Sequence, residues 1–584
     1  MLKAKNKNKK IDRMENVRHS LSHLMAAAVQ EFFPGVKLGI GPSIENGFYY
    51  DFDLPRSLVQ EDLPKIEKRM RELVKQGTPF NKRIISRTEA KEMFKDQPYK
   101  LDLIKELQDN KISLYQSGDF VDLCRGPHVK TAKEIPQDAF KLTKIAGAYW
   151  KGDEKNPMLQ RIYAVAFLSK DALNDFLEKE AEAEKRDHRK IGAKLDLFSF
   201  QKEAPGMPFF HPKGAIIYNE LKNFWIEEQK AFDYDTVLAP SILDINIWKQ
   251  SGHWDHYKDD MFFLKAKEGE QEFALRPMDC PGAILIYNNS PKSYRDLPLR
   301  YAEPGLISRK EKSGQLGGLF RVQQFTQDDA HIFITEEQIE EEILSVIKLV
   351  DKIYKPFGLN YKAYLSTRPD DYMGDIKLWN KAEGRLRKIL RSVYGKNWGI
   401  KSRDGAFYGP KIDYQLEDAI GRNWQCATIQ LDFQMPLRFN CKFTDQNGKT
   451  QTPVLIHRTI MGSFERFMGI LIEHFTGALP LWLSPIQAQV IPVGERHKKY
   501  AQSVAKKLKA ENIRVFARID NETVGKKIRE GEMQKIPYLL IVGDREMKNE
   551  TIGIRKRGKG DLGAIGLPEF IEQAKIEIKN KKKE

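Results

Sequence analysis

The segment FRVQQFTQDDAHIF, residues 320–333, is β-prone, with Phe325, Ile332 and Phe333 and no helical spacing of its apolar positions. A period of two puts Gln327, Asp329 and His331 on one face of such a strand and Asp328, Ala330 and Ile332 on the other. An amide, a carboxylate and an imidazole thus stand in line where packing alone would place apolar side chains. Just upstream, in GLISRKEKSGQLGGLFR, Arg309 and Glu311 share a strand face, and the glycine-rich turn at 314–318 is expected to bring Arg321 back opposite them as a hairpin. Planar guanidinium groups bind phosphate oxygens in pairs, and a carboxylate can accept from an adenine amino group. Further on, GSFERFMGILIEHF spaces Phe464, Phe467, Met468, Leu471, Ile472 and Phe475 as one apolar helix stripe. Ser463 is the expected N-cap, which leaves Arg466 in the first turn, where the helix dipole disfavours a cation. An anionic ligand would resolve that conflict.

A second group of reactive side chains lies near the N-terminus. His19 and His23 are spaced i, i+4 on one helix, and DLCRGPH supplies Asp122, Cys124 and His128. HxxxH with CxxxH has the composition of a four-ligand metal site, although two histidines at helical spacing are more often structural. No Walker A sequence is present, which argues against a P-loop nucleotide site.

The elements that must position these groups form a long chain. At 584 residues it exceeds one core, and at roughly 100–200 residues per domain it should hold three or four. Residues 12–33 read as a helix with Val17, Leu21, Leu24 and Ala28 on one side, ended by Pro34-Gly35, and short strands and helices alternate from there to about 170. Residues 171–190, DALNDFLEKEAEAEKRDHRK, have the composition of a connecting helix. From about 190 to 484, strand-like segments broken by helices and hairpin turns favour a large antiparallel sheet. Within that region GAIIYNELKNFWIEEQKAFDYDTVLAPSIL is a long amphipathic segment running into a strand that ends at Pro240. The last hundred residues, QAQVIPV through a final helix, read as an α/β module.

Composition narrows the classes. The hydrophobic content of 41% is that of a soluble globular protein, no apolar run reaches the length of a membrane helix, and MLKAKNKNKK lacks the apolar core of a signal peptide. Four cysteines without a CxxC pair suit a reducing compartment, so a cytoplasmic location is expected. Of the net +16, residues 485–584 contribute +9, from 23 Lys/Arg against 14 Asp/Glu, and the first ten residues contribute five lysines. A polyanion would therefore be gripped at the C-terminal end, with the N-terminal lysines forming a disordered tail.

The amphipathic segment whose strand ends at Pro240, the arginine-bearing turn and the Arg466 helix, in that order, resemble the three signature motifs of class II aminoacyl-tRNA synthetases. RPMDCPG, TQDDAHIF, AFYGPKIDY, WQCATIQLDF and LIHRTIMGSFERF narrow the likeness to the threonyl-tRNA synthetases, along nearly the whole chain. The resemblance implies a multidomain α+β fold: a class II antiparallel sheet flanked by helices, an N-terminal α/β editing domain and a C-terminal α/β anticodon-binding domain. The expected boundaries are a basic tail at 1–11, the editing domain at 12–170, a linker helix at 171–188, the catalytic domain at 189–484 and the anticodon domain at 485–584.

It also implies roles. A catalytic Zn2+, one per subunit, would be held by Cys280, His331 and His457, leaving a position for the amino and hydroxyl groups of threonine, with Asp329 taking the ammonium and Gln327 the carboxylate side. Valine, lacking the hydroxyl, could not complete that coordination, whereas an apolar pocket separates such isosteres only about a hundredfold. Arg309 and Arg466 would hold the phosphates of ATP with Mg2+, Arg321 and Glu311 would place the nucleotide, and Tyr408, Lys411, Gln425, Thr428, Gln430 and Ser463 would line the adenylate pocket, Tyr408 and Lys411 touching threonine. His253 would help transfer to tRNA(Thr). Serine differs by one methyl, worth roughly 1–3 kcal/mol, so hydrolytic editing is required. The pieces bearing His19, His23, Asp122, Cys124 and His128, together with GPSIENGFYYDFDL and the Tyr99-Lys100 pair, resemble the editing domain of the threonyl and alanyl enzymes. There His19, Lys100 and His128 would polarise water or substrate, with metal binding left open. Asn521, Glu546 and Arg555 would read anticodon bases. A homodimer is expected through the segment ending at Pro240. Two departures stand out: the small ubiquitin-like domain common at the start of bacterial members is expected to be missing, and Ala283 replaces the histidine usual after CPG. A paralogous amide-forming ligase, or a non-enzymatic RNA-binding regulator, would have no reason to keep the metal trio, both arginines and the anticodon module together.

Overall fold

No glycine or proline interrupts residues 2–32, and one helix, Leu2–Phe32, fills them. The lysine-rich stretch expected as a disordered tail is therefore helical from Leu2 onward, because nothing in it breaks a helix that the following residues anchor. Val17, Leu21, Leu24 and Ala28 are all buried in one core with Phe48, Tyr50 and Phe52, as the apolar spacing requires. The computed structural model describes residues 2–264, 271–418 and 421–581, so the first residue of the expected tail and residues 582–584 of the C-terminal module lie outside the described residues. The chain divides into two compact units, Met1–Glu182 and Ala183–Glu584.

In the first unit, the strands Lys37–Leu38, Gly47–Asp53, Met158–Ala166 and Phe140–Tyr149 pair in that order, with Ser43–Ile44 also on Gly47–Asp53. A separate three-stranded sheet, Asn81–Ser86, Lys111–Ser117 and Phe120–Leu123, delivers Asp122 and the following Cys124. The connecting helix Lys170–Arg186 crosses into the second unit.

The second unit is built on an eight-stranded sheet in the order Asp235–Thr236, Leu299–Ser308, Gln324–Ile334, Val454–Thr459, Asn423–Asp432, Lys411–Glu417, Asn360–Ser366, Gly399–Lys401. All pairings are antiparallel except at the two edges. The helices Pro212–Ala231, Ile339–Tyr354 and Phe464–His474 supply buried side chains to the same core as the sheet, and the Phe464, Phe467, Met468, Leu471, Ile472 stripe is wholly buried, with Phe475 packed at its margin. Two expectations need correction. The strand leading to Pro240 is only Asp235–Thr236, continued by one hydrogen bond from Val237 to Ala302. The strand read over 320–333 begins at Gln324, because residues 320–323 are drawn into the preceding loop.

The C-terminal module keeps its own five-stranded sheet, Val515–Ala517, Ala488–Pro492, Tyr538–Val542, Thr551–Lys556, Gly560–Gly566, parallel among the first three and antiparallel beyond. Helices Lys498–Ala510, Val524–Met533 and Leu567–Lys579 accompany it. Arg514 ties it to the helix Pro212–Ala231 through Glu220 at 2.7 Å.

Candidate active site

Antiparallel register sets the face on which chemistry is possible. His331 lies opposite His457, His457 opposite Gln430, and Gln430 opposite Lys411; two residues along, Asp329 lies opposite Glu303, and two further residues on, Gln327 lies opposite Gly305. Side chains alternate along a strand, so these residues share one face of the sheet. Cys280 joins them as the first residue of the helix Cys280–Asn288.

One ligand atom each from Cys280, His331 and His457 lies within 4.8 Å of the others, and all three residues are buried. The Nε2–H of His457 donates to Asp432 at 2.8 Å, which leaves the Nδ1 lone pair free for a ligand. Nδ1 of His331 is buried with no partner, and burial next to His457 and Arg458 holds this imidazole neutral. Burial, aided by Asp329, Asp432 and Asp279, pushes the Cys280 thiol well above its ordinary value, so a thiolate there needs a compensating cation. A thiolate, two neutral imidazoles and a supporting carboxylate fit a divalent metal such as zinc with a position left open. His253 is fully buried beside them, Nε2 lying 3.8 Å from the Cys280 sulfur and Nδ1 2.8 Å from Ser251. Burial and the neighbouring His457 pull it down to about 3, so it is neutral.

Next to the trio, carboxylates outnumber cations. Burial and Asp279 raise Asp329 well above the carboxylate range, and burial raises Asp279 to about 7, against the pull of Arg276. Arg276 donates to Glu303 at 2.8 Å and lies 3.1 Å from Asp279. The oxygens of Asp279 press on Gly305 so closely that a Cβ there would meet them at 2.2 Å, which requires glycine. Arg276, Asp279 and Glu303 escaped the sequence reading, although Arg276 and Asp279 stand inside the quoted RPMDCPG. An ammonium group entering beside Asp329 would supply the missing positive charge.

Beyond Gln327 the surface is positive. A cavity of about 360 Å³ is lined by Arg309, Glu311, Arg321, Gln327, Gln425, Thr428, Ser463 and Arg466, with Phe320 and Phe325 as apolar walls. Ser463 caps the helix as expected, accepting from the N–H of Arg466 at 3.1 Å. The Arg466 guanidinium donates to the carbonyls of Phe320 and Gln425 at 2.9 and 3.3 Å. Arg309 donates to the carbonyl of Pro277 at 3.1 Å and stands over the Phe325 ring. The expected hairpin is present as the antiparallel pair Leu299–Ser308 and Gln324–Ile334, but its strand stops at Ser308, so Arg309 and Glu311 lie in the connecting loop, an irregular excursion over 309–323 that contains the short turn Ser313–Gln315. The excursion still brings Arg321 onto Glu311, Nε to Oε2 at 2.9 Å. Asp413 accepts from Gln425 at 2.8 Å and Thr428 at 3.0 Å and pairs with Lys411 at 3.0 Å. Tyr408 donates to Gln430 and its ring lies 5.0 Å from His457, at the metal end. Of the expected adenylate residues, Tyr408 and Gln430 therefore stand away from the cavity wall, beside His457, and Lys411 reaches the cavity residues Gln425 and Thr428 only through Asp413.

Two buried acids hold this arrangement and were not singled out from sequence. Asp328, on the opposite face of its strand, accepts from the N–H groups of Ile460, Met461 and Gly462, each at 2.9 Å, and from Thr459 at 2.5 Å. Burial raises its pKa against these hydrogen bonds. Glu465 accepts from the Thr326 N–H at 2.9 Å and is raised by burial to about 7. Both tie the strand bearing Gln327 and Asp329 to the entry of the Arg466 helix.

The chain matches three family descriptions: "tRNA synthetase class II core domain (G, H, P, S and T)" over residues 262–475, "Anticodon binding domain" over 487–576, and "Threonyl and Alanyl tRNA synthetase second additional domain" over 112–163. It is 52% identical over 568 residues to the threonine–tRNA ligase of Carboxydothermus hydrogenoformans, covering 97% of this chain and 89% of that protein. This chain belongs to the threonine–tRNA ligases. The enzyme of Thermotoga maritima is 48% identical over 574 residues, covering 98% of this chain and 89% of its own length. Among solved structures, one titled as the RNA binding domain of threonyl-tRNA synthetase from Cryptosporidium parvum superposes with a TM-score of 0.65 at 39% identity, covering 67% of this chain and 98% of the other.

Like the family description that spans residues 112–163, the second histidine cluster falls in the first unit. Ligand atoms of His19, His23, Cys124 and His128 lie within 4.8 Å of one another. The Cys124 sulfur is 3.3 Å from Nε2 of His19 and 3.2 Å from Nε2 of His128. Burial lowers His19, lowers His23 strongly, and with the neighbouring imidazoles takes His128 to about 2, while burial raises the thiol to about 11. Lys100, expected to act on substrate, is only 1% exposed; its ammonium pairs with Asp122 and donates to Tyr50 at 3.0 Å, behind the histidines. In the C-terminal module, Asn521 lies in an exposed loop, Glu546 caps its own short helix through the Gly543 N–H at 2.9 Å, and Arg555 pairs with Glu532 at 2.9 Å, so the three stand on separate elements.

Asp328→Asn places an amide donor among three backbone donors and should cost about 2–4 kcal/mol, read as a lower denaturation midpoint in urea. The three histidines bind protons more weakly folded than unfolded. In metal-free protein the stability they contribute to the first unit is therefore full above the ordinary imidazole value and is lost progressively as pH falls below it toward their lowered folded values. Calorimetry should find its transition lower at pH 5 than at pH 7.5, and His128→Asn should flatten that dependence.

Proposed function

We propose that the chain activates L-threonine with ATP and transfers it to the 3′ end of tRNA(Thr), with the site residues divided by charge. The observation that carries this reading is one sheet face bearing a buried Cys280, His331 and His457 trio at one end and a cavity with Arg309, Arg321 and Arg466 at the other. In this reading Asp329 takes the ammonium and Gln327, whose Oε1 is buried without a partner, turns its amide toward the carboxylate. Arg309 and Arg466 bind the phosphates of ATP, with magnesium spreading their charge. Arg321 and Glu311 place the nucleotide, while Gln425, Thr428 and Ser463 line its pocket. Attack of the threonine carboxylate on the α-phosphate then needs chiefly positioning and charge stabilisation. His253 helps in transfer to the tRNA. Cys280, His331 and His457 would hold zinc, which when bound supplies a Lewis-acid position for the amino and hydroxyl groups of threonine.

Hydrolytic editing of seryl-tRNA(Thr) is assigned to the His19, His23, Cys124 and His128 cluster. Neutral imidazoles can polarise water, with Asp122 and Lys100 fixing the histidines from behind. The anticodon is read by the C-terminal module, with Asn521, Glu546 and Arg555 as the base-contacting residues and the surrounding lysines on phosphate. Two copies would associate through the segment ending at Pro240, where Leu238 is 76% exposed, with Ile242 just beyond it 48% exposed. A cytoplasmic location suits four unpaired cysteines and the absence, among the described residues, of any helix long and apolar enough to cross a membrane.

ATP–pyrophosphate exchange with threonine, serine and valine tests the reading. Exchange should require threonine or, less efficiently, serine, and reject valine, and Cys280→Ser should lose both bound zinc and the rejection of valine. Exchange independent of threonine, or unchanged selectivity in Cys280→Ser, would overturn it. Leu238→Glu should convert a dimer to a monomer in sedimentation.

A further inference from the structure

His188 stands just past the connecting helix, 131 residues before the loop it touches, and is buried. Its Nδ1–H donates to Glu473 at 2.7 Å, and the same carboxylate oxygen accepts its backbone N–H at 3.1 Å. With the proton on Nδ1, the Nε2 lone pair accepts the N–H of Leu319 at 2.9 Å. Asp187, His188 and Glu473 lie close enough to hold a cation, but both imidazole nitrogens are already engaged by protein, so a metal has no free donor there.

The contact falls on the wall of the proposed nucleotide cavity. Gly318 has φ +57°, and a Cβ on it would meet Nε2 of His188 at 2.2 Å, so the turn admits the imidazole only because residue 318 is glycine. The next residue but one, Phe320, packs its ring 4.2 Å from the His188 ring and 4.1 Å from Trp424, and its carbonyl accepts from Arg466. Glu473, at the far end of the Arg466 helix, is also gripped by Arg422. One imidazole thus joins the turn Gly318–Phe320 to the helix that carries Arg466, and both line the cavity.

We propose that His188 is a positioning residue for ATP: its Nδ1–H and Nε2 together pin the Leu319 turn against Glu473 and so set Phe320, Arg321 and Arg466 at the spacing the nucleotide needs. The proposal rests on the assignment of this cavity to ATP. Because the imidazole meets the cavity wall at Leu319 and Phe320, its loss is expected to fall on ATP and spare threonine.

Two polar isosteres separate the contacts. His188→Gln can keep an acceptor for Leu319, and His188→Asn can keep a donor for Glu473. In ATP–pyrophosphate exchange, His188→Asn and His188→Ala should raise KM for ATP about tenfold, the loss of one buried hydrogen bond, with KM for threonine within about twofold, whereas His188→Gln should stay within about threefold of wild type. Thermal melting of the same samples separates this from general unfolding, which would move both constants. Equal rises in both KM values, or a Gln variant as impaired as Ala, would overturn the proposal. Arg466→Ala is the control: if it leaves KM for ATP unmoved, the assignment of the cavity has failed; if it raises that KM while His188→Asn and His188→Ala do not, only the role of His188 has failed.

Discussion

The pairing of Gln324–Ile334 with Val454–Thr459 governs everything built on the large sheet. A slip of one residue would turn Gln327, Asp329 and His331 into the core and bring Asp328 and Ile332 onto the open face. The chain guards the register from both sides. In front, His331 faces His457; behind, Asp328 collects three successive backbone donors from the turn that follows His457. The turn so fixed leads to Ser463 and the Arg466 helix, which makes the position of the Arg466 guanidinium depend on a carboxylate on the far face of the neighbouring strand.

The same face is polar in a literal sense. Asp279, Glu303, Asp329 and Asp432 crowd the metal end, with Arg276 as the buried cation paired among them. Arg309, Arg321 and Arg466 dominate the cavity at the other end. An aminoacyl adenylate has an ammonium at one end and a phosphate near its middle, so its charges run in the complementary order. Burial amplifies this match, since each unpaired carboxyl in a low-dielectric site is held toward its protonated form until a cation arrives.

The two histidine clusters differ in how their donors are spent. At Cys280 the His457 imidazole spends one nitrogen on Asp432, and His331 keeps an unpartnered buried nitrogen. At Cys124 the thiol touches two imidazoles, whose other nitrogens meet Ser20 and the carbonyl of Pro127. The first arrangement suits a resident metal. The second can polarise a small nucleophile with protein groups alone.

Element types and buried stripes were legible along the chain because they depend on local periodicity: Val17, Leu21, Leu24 and Ala28, the Phe464 helix with its Ser463 cap, and the strand–helix order of the last hundred residues all follow from spacing. The metal trio was not legible from spacing, since 51 and 126 residues separate its members, and the likeness to a family had to supply it. Folding alone decided that residues 309–323 leave the sheet as an irregular loop, that Lys100 lies behind the histidines, and that Asp328, Glu465 and His188 bind segments remote in sequence. Periodicity reports which face a side chain takes, whereas a hydrogen bond between distant segments exists only once the core has brought them within 3 Å.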